Sequence, residues 1–409
     1  MDYDFIIIGA GITGVSLGRL LQLKGVDNFI ILESNSEAGG LCRTKNIKGH
    51  IVDIGGGHFL DSKYPEVYKF IFEHLPKKEF NEFERISKVK IGDYILDYPF
   101  ELNLWQLPEE ECKKYVLSLE SIKNLKNKSI KNFEEYVKFN FGNLIAEKYM
   151  IPYNKKIWGV DLKYLDTDLV YKTPLTNITD ILNSISFKKP DPSKIPSHFK
   201  FYSPKKGGFQ TIFNSIYEKI SDKVVLNYQI KKIKKDKDRW IIDDNYRSKV
   251  VINTAPWPSL FSALGSPQEL KNDFDNLKSN SIVVSLFEEK KINNWHWIYI
   301  PDEEVESHRK IYINNFYPES MPNGIWGEVN IMRWPGKDNK WSNNKKPIFE
   351  HINEFAYPIP SLRHRESMDN ILNYYKSKNL FGIGRWGTWS HKNADVCIHD
   401  CIKFVEDLI

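Results

Sequence analysis

Three glycines near the start of the chain have the spacing of a phosphate-binding turn. Gly9, Gly11 and Gly14 follow the apolar run DFIII and open the periodic segment VSLGRLLQLKG. The first glycine permits a tight turn, the second lets the backbone approach a pyrophosphate, and the third lets helix and strand pack closely. Because the first N–H groups of a helix attract an anion, we expect this turn, with Ile12 and Thr13, to hold a dinucleotide.

A carboxylate follows the turn at the distance typical of a ribose contact. Glu33 ends the next apolar run, FIIL, and Ser34 lies beside it. A carboxylate about 20 residues after the glycines accepts hydrogen bonds from the ribose hydroxyls and repels a 2′-phosphate. We therefore expect the adenosine ribose at Glu33, and we do not expect NADP at this turn.

Three later segments carry further glycines and an arginine. They read EAGGLCRT from residue 37, DIGGGH from residue 53 and GRWG from residue 384. Together with the strand KVVINTAP they resemble the FAD-dependent amine oxidase and mutase superfamily, where such segments lie along the flavin pyrophosphate, isoalloxazine and ribityl chain. The resemblance implies bound FAD. It adds to the cofactor site Gly40, Leu41, Cys42, Gly55, Gly56, Gly57, His58, Ile230, Gly384, Arg385, Asn393 and Ala394.

Polar and aromatic motifs along most of the chain extend this resemblance. They are RIS at residue 85, YPF at residue 98, PYNKKIW at residue 152, and later HWIYIP, HRKIYINNFYP and EFAYPIP. In this order they are similar to the UDP-galactopyranose mutase family of the eukaryotic type. Arginines fork onto diphosphate oxygens and aromatic rings stack on a pyrimidine or sugar, which suits a nucleotide-sugar. The resemblance implies catalytic roles for His58 and Arg85, and substrate contacts for Tyr98, Phe100, Tyr153, Asn154, Trp158, Trp297, Tyr299, Arg309, Tyr357 and His391.

The resemblance also implies an activity. In the family, N5 of reduced FAD attacks the anomeric carbon of a nucleotide-activated sugar, which exchanges its pyranose and furanose forms for surface glycan synthesis. No net redox change occurs, yet the flavin must be reduced. Since the sequence shows no second dinucleotide fingerprint, NADPH or NADH is expected to bind transiently over the flavin. No pattern indicates a protein partner.

Four positions depart from the family pattern. Ile151 stands where the family has a diphosphate arginine, and Glu101 follows YPF in place of glutamine. One additional glycine precedes His58, and the loop after Trp389 is short, with His391 in place of a phosphate-binding tyrosine. Two alternatives therefore stay open: an amine oxidase or related oxidoreductase that passes a hydride from a small substrate to FAD, and a non-catalytic relative such as the prenyl-GTPase chaperones.

Composition excludes several other classes of function. The formal net charge of +5 does not indicate nucleic acid, and the basic run IKKIKKDKDR is typical of a solvated hairpin end. No apolar stretch approaches the ~20 residues that span a bilayer, and no secretory signal is visible, so we expect a cytoplasmic protein. Four cysteines suit a reducing compartment. The spacing of Cys397, His399 and Cys401 matches no zinc pattern, so no metal is expected.

The elements that must position these residues follow from apolar periodicity. The pattern predicts an α/β fold: a Rossmann-type FAD-binding domain with an inserted helical region and an antiparallel β-sheet substrate domain. A connection rich in proline and lysine, residues 188–207, separates the helical region from the chain's return to the first domain. The predicted units are residues 1–62, 201–265 and 376–409 for the FAD-binding domain, 63–200 for the helical region and 266–375 for the substrate domain.

Overall fold

The strand, helix and strand predicted at the N-terminus form a parallel βαβ unit. In the computed structural model, β1 (Asp2–Ile8) pairs in parallel with β2 (Phe29–Leu32), and α1 (Ile12–Leu23) connects them. Ile6, Ile7 and Ile31 are fully buried because both faces of this sheet are covered. Gly25 follows α1 with φ +83°, the left-handed conformation typical of a helix C-terminus.

The structure describes residues 1–123, 129–167, 169, 176–194, 199–289, 293–318, 324–330 and 346–409. The further strands are β3 (Thr44–Ile47), β4 (His50–Asp53), β5 (Phe80–Glu84), β6 (Ser87–Ile91), β7 (Tyr94–Asp97), β8 (Lys200–Pro204), β9 (Val224–Val225), β10 (Ile233–Asp236), β11 (Arg239–Ile242), β12 (Tyr246–Asn253), β13 (Ser279–Glu288), β14 (Trp297–Tyr299), β15 (Arg309–Tyr312), β16 (Gly324–Asn330), β17 (Phe349–Pro358) and β18 (Leu380–Gly382). The further helices are α2 (Pro65–His74), α3 (Glu109–Glu120), α4 (Phe133–Ile145), α5 (Ile151–Trp158), α6 (Ile178–Phe187), α7 (Gln210–Tyr217), α8 (Trp257–Leu260), α9 (Lys271–Asn276), α10 (Ile313–Phe316), α11 (His364–Lys376), α12 (Gly384–Gly387) and α13 (Ala394–Leu408).

The nucleotide sheet gathers strands from three distant parts of the chain. Its order is β10-β11-β12-β1-β2-β9, and β18 pairs with β12. The run KVVINTAP contains the end of β12, which lies beside β1 in parallel. The basic run at residues 231–239 forms the β10–β11 hairpin, which agrees with the prediction of a hairpin end.

The segment predicted as mainly helical contains three strands as well. Helices α3 to α6 pack around a core of their own that includes Leu119, Phe133, Phe141 and Ile181. The prediction was wrong for residues 80–97, which form β5, β6 and β7. The sequence SKVKI alternates with a period of two, the pattern of a strand, whereas the two phenylalanines of FNEFE are three residues apart and do not indicate a strand. Strand β5 then pairs with β8, at the end of the predicted connection, of which residues 195–198 lie outside the described residues.

The substrate sheet is mixed rather than antiparallel. Its order is β17-β13-β16-β15-β14-β6-β7, and β14 pairs with β6 in parallel. This parallel pair was missed because β6 comes from the segment assigned to the helical region. Helices α9 and α11 pack on the nucleotide sheet, where Phe274 and Ile371 share a core with Ile6. The packing boundaries of the substrate sheet therefore differ from the predicted 266 and 375.

The described residues show neither a metal centre nor a membrane-spanning helix. No group of three or more His, Cys, Asp or Glu side chains among them could hold a metal ion. His399 stacks on Tyr64 and faces Glu66, whereas Cys397 and Cys401 are buried free thiols. No helix in the described part of the chain is long and apolar enough to cross a bilayer.

Candidate active site

The three glycines of the phosphate-binding turn differ in the space that a Cβ would find at each. A Cβ on Gly14 would lie 1.9 Å from the Gly9 carbonyl oxygen, and Gly9 itself has φ +97°. A Cβ on Gly11 would meet nothing within 4 Å among the described residues. Gly14 therefore serves the packing of α1 on β1, whereas Gly11 leaves the start of α1 open to a ligand. The described side chains provide no cap for the first turn of α1, so its N–H groups can bind an anion.

The predicted ribose carboxylate is held at the end of β2 by backbone groups. The Ala10 N–H donates to Glu33 Oε2 at 2.8 Å, and the Asn35 N–H donates to Glu33 Oε1 at 2.9 Å. Ser34 lies next to it, 3.4 Å from the same Oε1. Ile230 packs in the core that contains Leu32, one residue before Glu33. These contacts orient Glu33 beside the glycine turn.

The second glycine segment packs on the first through backbone. Gly39 forms a parallel bridge with Gly11, and a Cβ on Gly40 would lie 3.5 Å from the Gly11 Cα. A Cβ on Gly55 would lie 1.8 Å from the Leu41 carbonyl oxygen. Cys42 is buried beneath this contact and donates its N–H to the Gly39 carbonyl. Any larger residue at Gly55 would push the two segments apart.

The segment GRWG, which begins at Gly384, packs against the same turn. A Cβ on Gly384 would lie 2.3 Å from Thr13 Oγ1, in the first turn of α1. Arg385 donates from Nε to the Lys392 carbonyl at 2.8 Å and from Nη1 to the Ala356 carbonyl at 3.2 Å. Helix α13 begins at Ala394 after Asn393, and no described side chain caps its first turn. The open Gly11 position and the two uncapped helices fit the phosphates of a dinucleotide.

The predicted flavin loop, residues 55–58, touches the substrate sheet. The Gly57 N–H donates to Glu328 Oε1 at 3.0 Å. A Cβ on Gly57 would lie 2.5 Å from Ile311 and 3.5 Å from Arg309 Nη2. Gly56 lies against the same sheet, since a Cβ there would lie 3.2 Å from Glu328 Oε1.

His58 turns away from that contact. Its Nδ1 lies 2.7 Å from the Gly56 carbonyl, and its ring packs on Phe209 at 5.2 Å. Burial and the charge of Arg385 lower the pKa of His58 to about 4. The imidazole is therefore neutral at physiological pH. The catalytic role of His58 stays a prediction.

Arg85 lies in an aromatic cage. Its guanidinium stacks over Tyr98 at 4.1 Å and over Trp297 at 4.7 Å. Its Nε donates to Ser87 Oγ and its Nη2 donates to the Tyr299 hydroxyl at 3.0 Å. Four residues predicted from three separate motifs thus meet here. Since these partners are neutral, the positive charge of Arg85 stays available for a phosphate.

Arg309 forms a buried ion pair with a residue that the sequence reasoning missed. Glu328 is 0% exposed and accepts from Arg309 Nη2 at 2.7 Å, with His308 Nε2 at 3.1 Å. Burial alone would raise the pKa of Glu328, but the charge of Arg309 outweighs it and holds that pKa far below its usual range. Arg309 is a predicted substrate contact, and in the fold its guanidinium is paired with Glu328. A charged residue inside the apolar strand IWGEV was the available signal, because burial requires a partner.

Two further tyrosines link α5 to this region. Tyr153 packs edge-on against Tyr299 at 5.4 Å and lies 6.3 Å from His308, ring centroid to ring centroid. Tyr149 stacks on Tyr153 at 5.7 Å. Phe100, predicted as a substrate contact, is instead fully buried in the helical core against Tyr115 and Tyr149. The aromatic density of that core accounts for its position, since an uninterrupted apolar ring packs best there.

The remaining predicted substrate residues form a second group beside Arg385. His391 stacks on Tyr357 at 4.9 Å, and Trp158 packs on Tyr357 at 5.9 Å and on His391 at 5.7 Å. Asn154 Oδ1 accepts from Trp158 Nε1 at 3.2 Å. Because Arg385 lies 6.0 Å from the Tyr357 ring, this group adjoins the cofactor side of the site.

Two of the departures from the family pattern lie in the helical core. Ile151 is partly buried and packs against that core. Glu101 is 1% exposed, and neither carboxyl oxygen has a hydrogen-bond partner among the described residues. Burial raises the pKa of Glu101 to about 7. The carboxyl is therefore about half protonated near pH 7, which reduces the negative charge that would oppose a nucleoside diphosphate.

Comparison with known protein sequences agrees with this arrangement. The family model of an NAD(P)-binding Rossmann-like domain matches residues 7–74. A UDP-galactopyranose mutase from Mycoplasma genitalium is 21% identical over 429 residues, which cover 100% of this chain and 95% of the mutase. An L-amino-acid oxidase from Notechis scutatus scutatus is 26% identical over 252 residues and 56% of this chain. The match covers 44% of that oxidase, so the chain spans about half its length.

Solved structures decide the fold. A crystal structure of reduced UDP-galactopyranose mutase aligns with a TM-score of 0.87 over 99% of this chain and 95% of that chain, at 22% identity. The chain has the UDP-galactopyranose mutase fold. A putrescine oxidase with bound putrescine aligns with a TM-score of 0.66 over 100% and 99% of the two chains, at 13% identity. The predicted resemblance and fold class are therefore confirmed, while the eukaryotic type stays a prediction.

This mutase fold brings the two predicted halves of the site together. The glycine turn lies at the carboxyl end of β1, an inner strand of the nucleotide sheet. Predicted substrate residues lie on β14, β15, β17 and α5. The flavin loop lies between them, in contact with Glu328 and Arg309. A cofactor seated on the glycine turn would therefore reach the substrate side at Gly57.

Proposed function

We propose that the chain is a flavin-dependent mutase that interconverts the pyranose and furanose forms of a nucleotide-activated sugar. The observation that carries the proposal is the contact of the flavin loop with Arg309 and Glu328, because it joins the cofactor half to the substrate half. When bound and reduced, FAD supplies a nucleophilic nitrogen to the sugar. The sugar, its nucleotide and the use of NADPH or NADH as transient reductant all belong to the proposal.

The residues around the glycine turn would hold FAD. Gly11 and the first turn of α1 would receive the pyrophosphate, and Arg385 would lie beside it. Glu33 would accept hydrogen bonds from the ribose. These contacts bind and orient the cofactor without proton transfer, which is the task that a cofactor leaves to its protein.

The substrate residues would bind the diphosphate and exclude water. Arg85 keeps an uncompensated charge inside an aromatic cage, so it is the cation that we assign to the diphosphate. Arg309 is already neutralised by Glu328, so its role is to fix β15 against the flavin loop. The rings of Tyr153, Tyr299 and Tyr357 would cover the reacting sugar, because aromatic faces pack on it and keep water away.

A second candidate function follows from the oxidase similarity. The match to the L-amino-acid oxidase covers 56% of this chain, and the putrescine oxidase shares the fold. An oxidoreductase of this kind would move a hydride from a small substrate to FAD. The positive charge at Arg85 would then bind a substrate carboxylate rather than a diphosphate.

One pair of assays separates the two functions. The FAD-loaded protein, reduced with dithionite under nitrogen, is incubated with UDP-galactopyranose and a panel of other nucleotide-sugars, and the products are separated by chromatography. The oxidised protein is incubated in air with amino acids and amines, and hydrogen peroxide is measured. The proposal predicts that only the reduced protein forms a new furanose peak. Peroxide without any furanose would assign the chain to the oxidases.

A further inference from the structure

A buried ammonium group on α5 has no place in the site described so far. Lys156 is 3% exposed, and its Nζ donates to the backbone carbonyls of Ile300 at 2.9 Å and Asp302 at 2.8 Å. The same Nζ donates to the carbonyls of Val305 at 2.6 Å and Ser307 at 2.9 Å. Four carbonyl oxygens therefore surround one positive charge, much as they would surround a bound cation.

The four carbonyls belong to the carbonyl loop, which we define as residues 300–308. This loop joins β14 to β15, and the Ile300 N–H donates to the His308 carbonyl at 2.9 Å to close it. Tyr299 immediately precedes the loop and Arg309 immediately follows it. Tyr299 and Arg309 are paired across the β14–β15 ladder, so the loop closes the hairpin on which both substrate-side residues lie.

Helix α5 carries its own substrate-side residues on either side of Lys156. Tyr153 packs on Tyr299 and His308, and Trp158 packs on Tyr357. The ammonium group is thus a polar connection between two elements that also meet through aromatic rings. Rings slide over one another at little cost, whereas an ammonium with four carbonyl acceptors has one favourable position.

We infer that Lys156 is a positioning residue that locks the carbonyl loop to α5 and thereby fixes Arg309 and Tyr299 opposite Tyr153. This inference rests on the proposed function for its ligand, a nucleoside diphosphate. Removing the ammonium takes one donor from four backbone carbonyls. The Asp302 carbonyl also accepts from the Val305 N–H at 3.3 Å, whereas the buried carbonyls of Ile300 and Ser307 recover a partner only if the loop moves. A displaced loop moves Arg309, which in turn contacts Glu328 and the flavin loop.

The test uses two substitutions and a matched control in the FAD-loaded protein. Lys156→Met keeps the length of the side chain and removes the charge, and Lys156→Gln keeps two donors. The control is Lys155→Met on the same helix, where the side chain is 31% exposed and pairs with Asp161 at 2.7 Å. Three quantities are measured: FAD content, hydrogen exchange of residues 300–308, and the Kd for UDP.

The expected result is local. Lys156→Met keeps its FAD, while amide exchange in the carbonyl loop rises at least about tenfold and the Kd for UDP rises on the order of 30-fold. Lys156→Gln falls between the wild type and Lys156→Met, since it restores part of the donor set. Lys155→Met stays within about twofold of the wild type in all three quantities.

Two results would overturn the inference. One is a Lys156→Met protein whose loop exchange and UDP affinity equal those of Lys155→Met. The other is loss of FAD and of protection throughout the chain in both Lys156 variants, which would make Lys156 a general stabiliser. If the wild type itself fails to bind UDP, the proposed function fails, and the exchange of the carbonyl loop still decides whether Lys156 holds it.

Discussion

The phosphate-binding turn is made of backbone, whereas the substrate side is made of side chains from distant segments. At the turn, Gly11 leaves the start of α1 open, Gly14 and Gly384 allow close packing around it, and the first turn of α1 has no side-chain cap among the described residues. On the substrate side, Arg85 and Glu328 act through specific partners that lie more than 200 and about 20 residues away in the chain. A site built from backbone requires that no side chain fills its space. A site built from side chains requires that each interacting residue is present.

This difference predicts different responses to substitution. Filling the open position at Gly11 should appear first as loss of cofactor, whereas a substitution at the tightly packed Gly14 should lower stability. On the substrate side, loss of the buried carboxylate of Glu328 should lower stability, whereas a change at Arg85 should weaken ligand binding. The predictions below follow that contrast, beginning with the largest expected effect.

The largest effect is expected at Glu328. Glu328→Ala leaves Arg309 and His308 buried without their acceptor, which should lower the free energy of unfolding by roughly 3–5 kcal/mol. Urea denaturation followed by circular dichroism measures this change. The exposed Glu354 on β17 supplies the control, since Glu354→Ala should change stability by no more than about 0.5 kcal/mol. Equal and small changes in both variants would show that the buried ion pair is unimportant.

Two glycines of the turn should respond in opposite ways. Gly14→Ala places a Cβ 1.9 Å from the Gly9 carbonyl oxygen and should destabilise the apoprotein by about 3 kcal/mol. Gly11→Ala meets nothing within 4 Å among the described residues and should leave apoprotein stability unchanged. Its Cβ enters the space reserved for the pyrophosphate, so it should weaken FAD binding at least about tenfold. Thermal melting of the apoprotein and flavin titration separate the two, and unchanged FAD affinity in Gly11→Ala would argue against this turn as the phosphate site.

The protonation of Glu101 should make stability depend on pH. The pKa of Glu101 is raised from 4.5 to about 7 in the fold, so the unfolded chain ionises first as pH rises. Stability from this group is therefore complete below pH 4.5 and is lost progressively as pH rises to about 7. Glu101→Gln removes this loss and should be more stable than the wild type by roughly 2–3 kcal/mol at pH 8, with no gain at pH 4.

Denaturant titrations at the two pH values measure the effect of Glu101→Gln. The exposed Glu120 at the end of α3 provides a comparison, since Glu120→Gln should give the same small difference at both pH values. A gain of Glu101→Gln that does not vary with pH would contradict a buried, protonated carboxyl.

The smallest effect is expected for a substitution that keeps the charge at Arg85. Arg85→Lys loses the planar stacking on Tyr98 and Trp297 and the fork toward Ser87 and Tyr299. It should weaken UDP binding about tenfold, near 1.4 kcal/mol, while FAD content stays the same. Calorimetric titration of UDP measures the change. Arg239→Lys, at a surface pair with Asp2, is the control and should bind UDP as the wild type does.

The same contrast explains what the sequence could predict. The glycine spacing, the carboxylate at residue 33 and the C-terminal GRWG are local patterns, and the structure places all of them around one turn. The predicted aromatic and arginine motifs also converge, since Arg85 meets Tyr98, Trp297 and Tyr299.

The rest depended on information that is not local. The partnership of Arg309 with Glu328 required the register of β15 on β16, where these two residues are paired. The strands at residues 80–97 required recognising that β6 joins a sheet formed much later in the chain. The partners of Lys156 are backbone carbonyls, which leave no mark in the sequence. Phe100 was assigned to the substrate because a motif specifies a residue and not the direction of its side chain.

The most direct test of the account is a titration of the FAD-loaded protein with UDP while the flavin absorption spectrum is recorded. The flavin loop contacts Arg309 and Glu328, so UDP bound at Arg85 should alter the surroundings of the flavin. The account predicts a saturable change in the flavin spectrum whose Kd equals the calorimetric Kd and rises in Arg85→Lys. UDP binding that leaves the flavin spectrum unchanged, or that Arg85→Lys does not weaken, would contradict a single site built from the two halves.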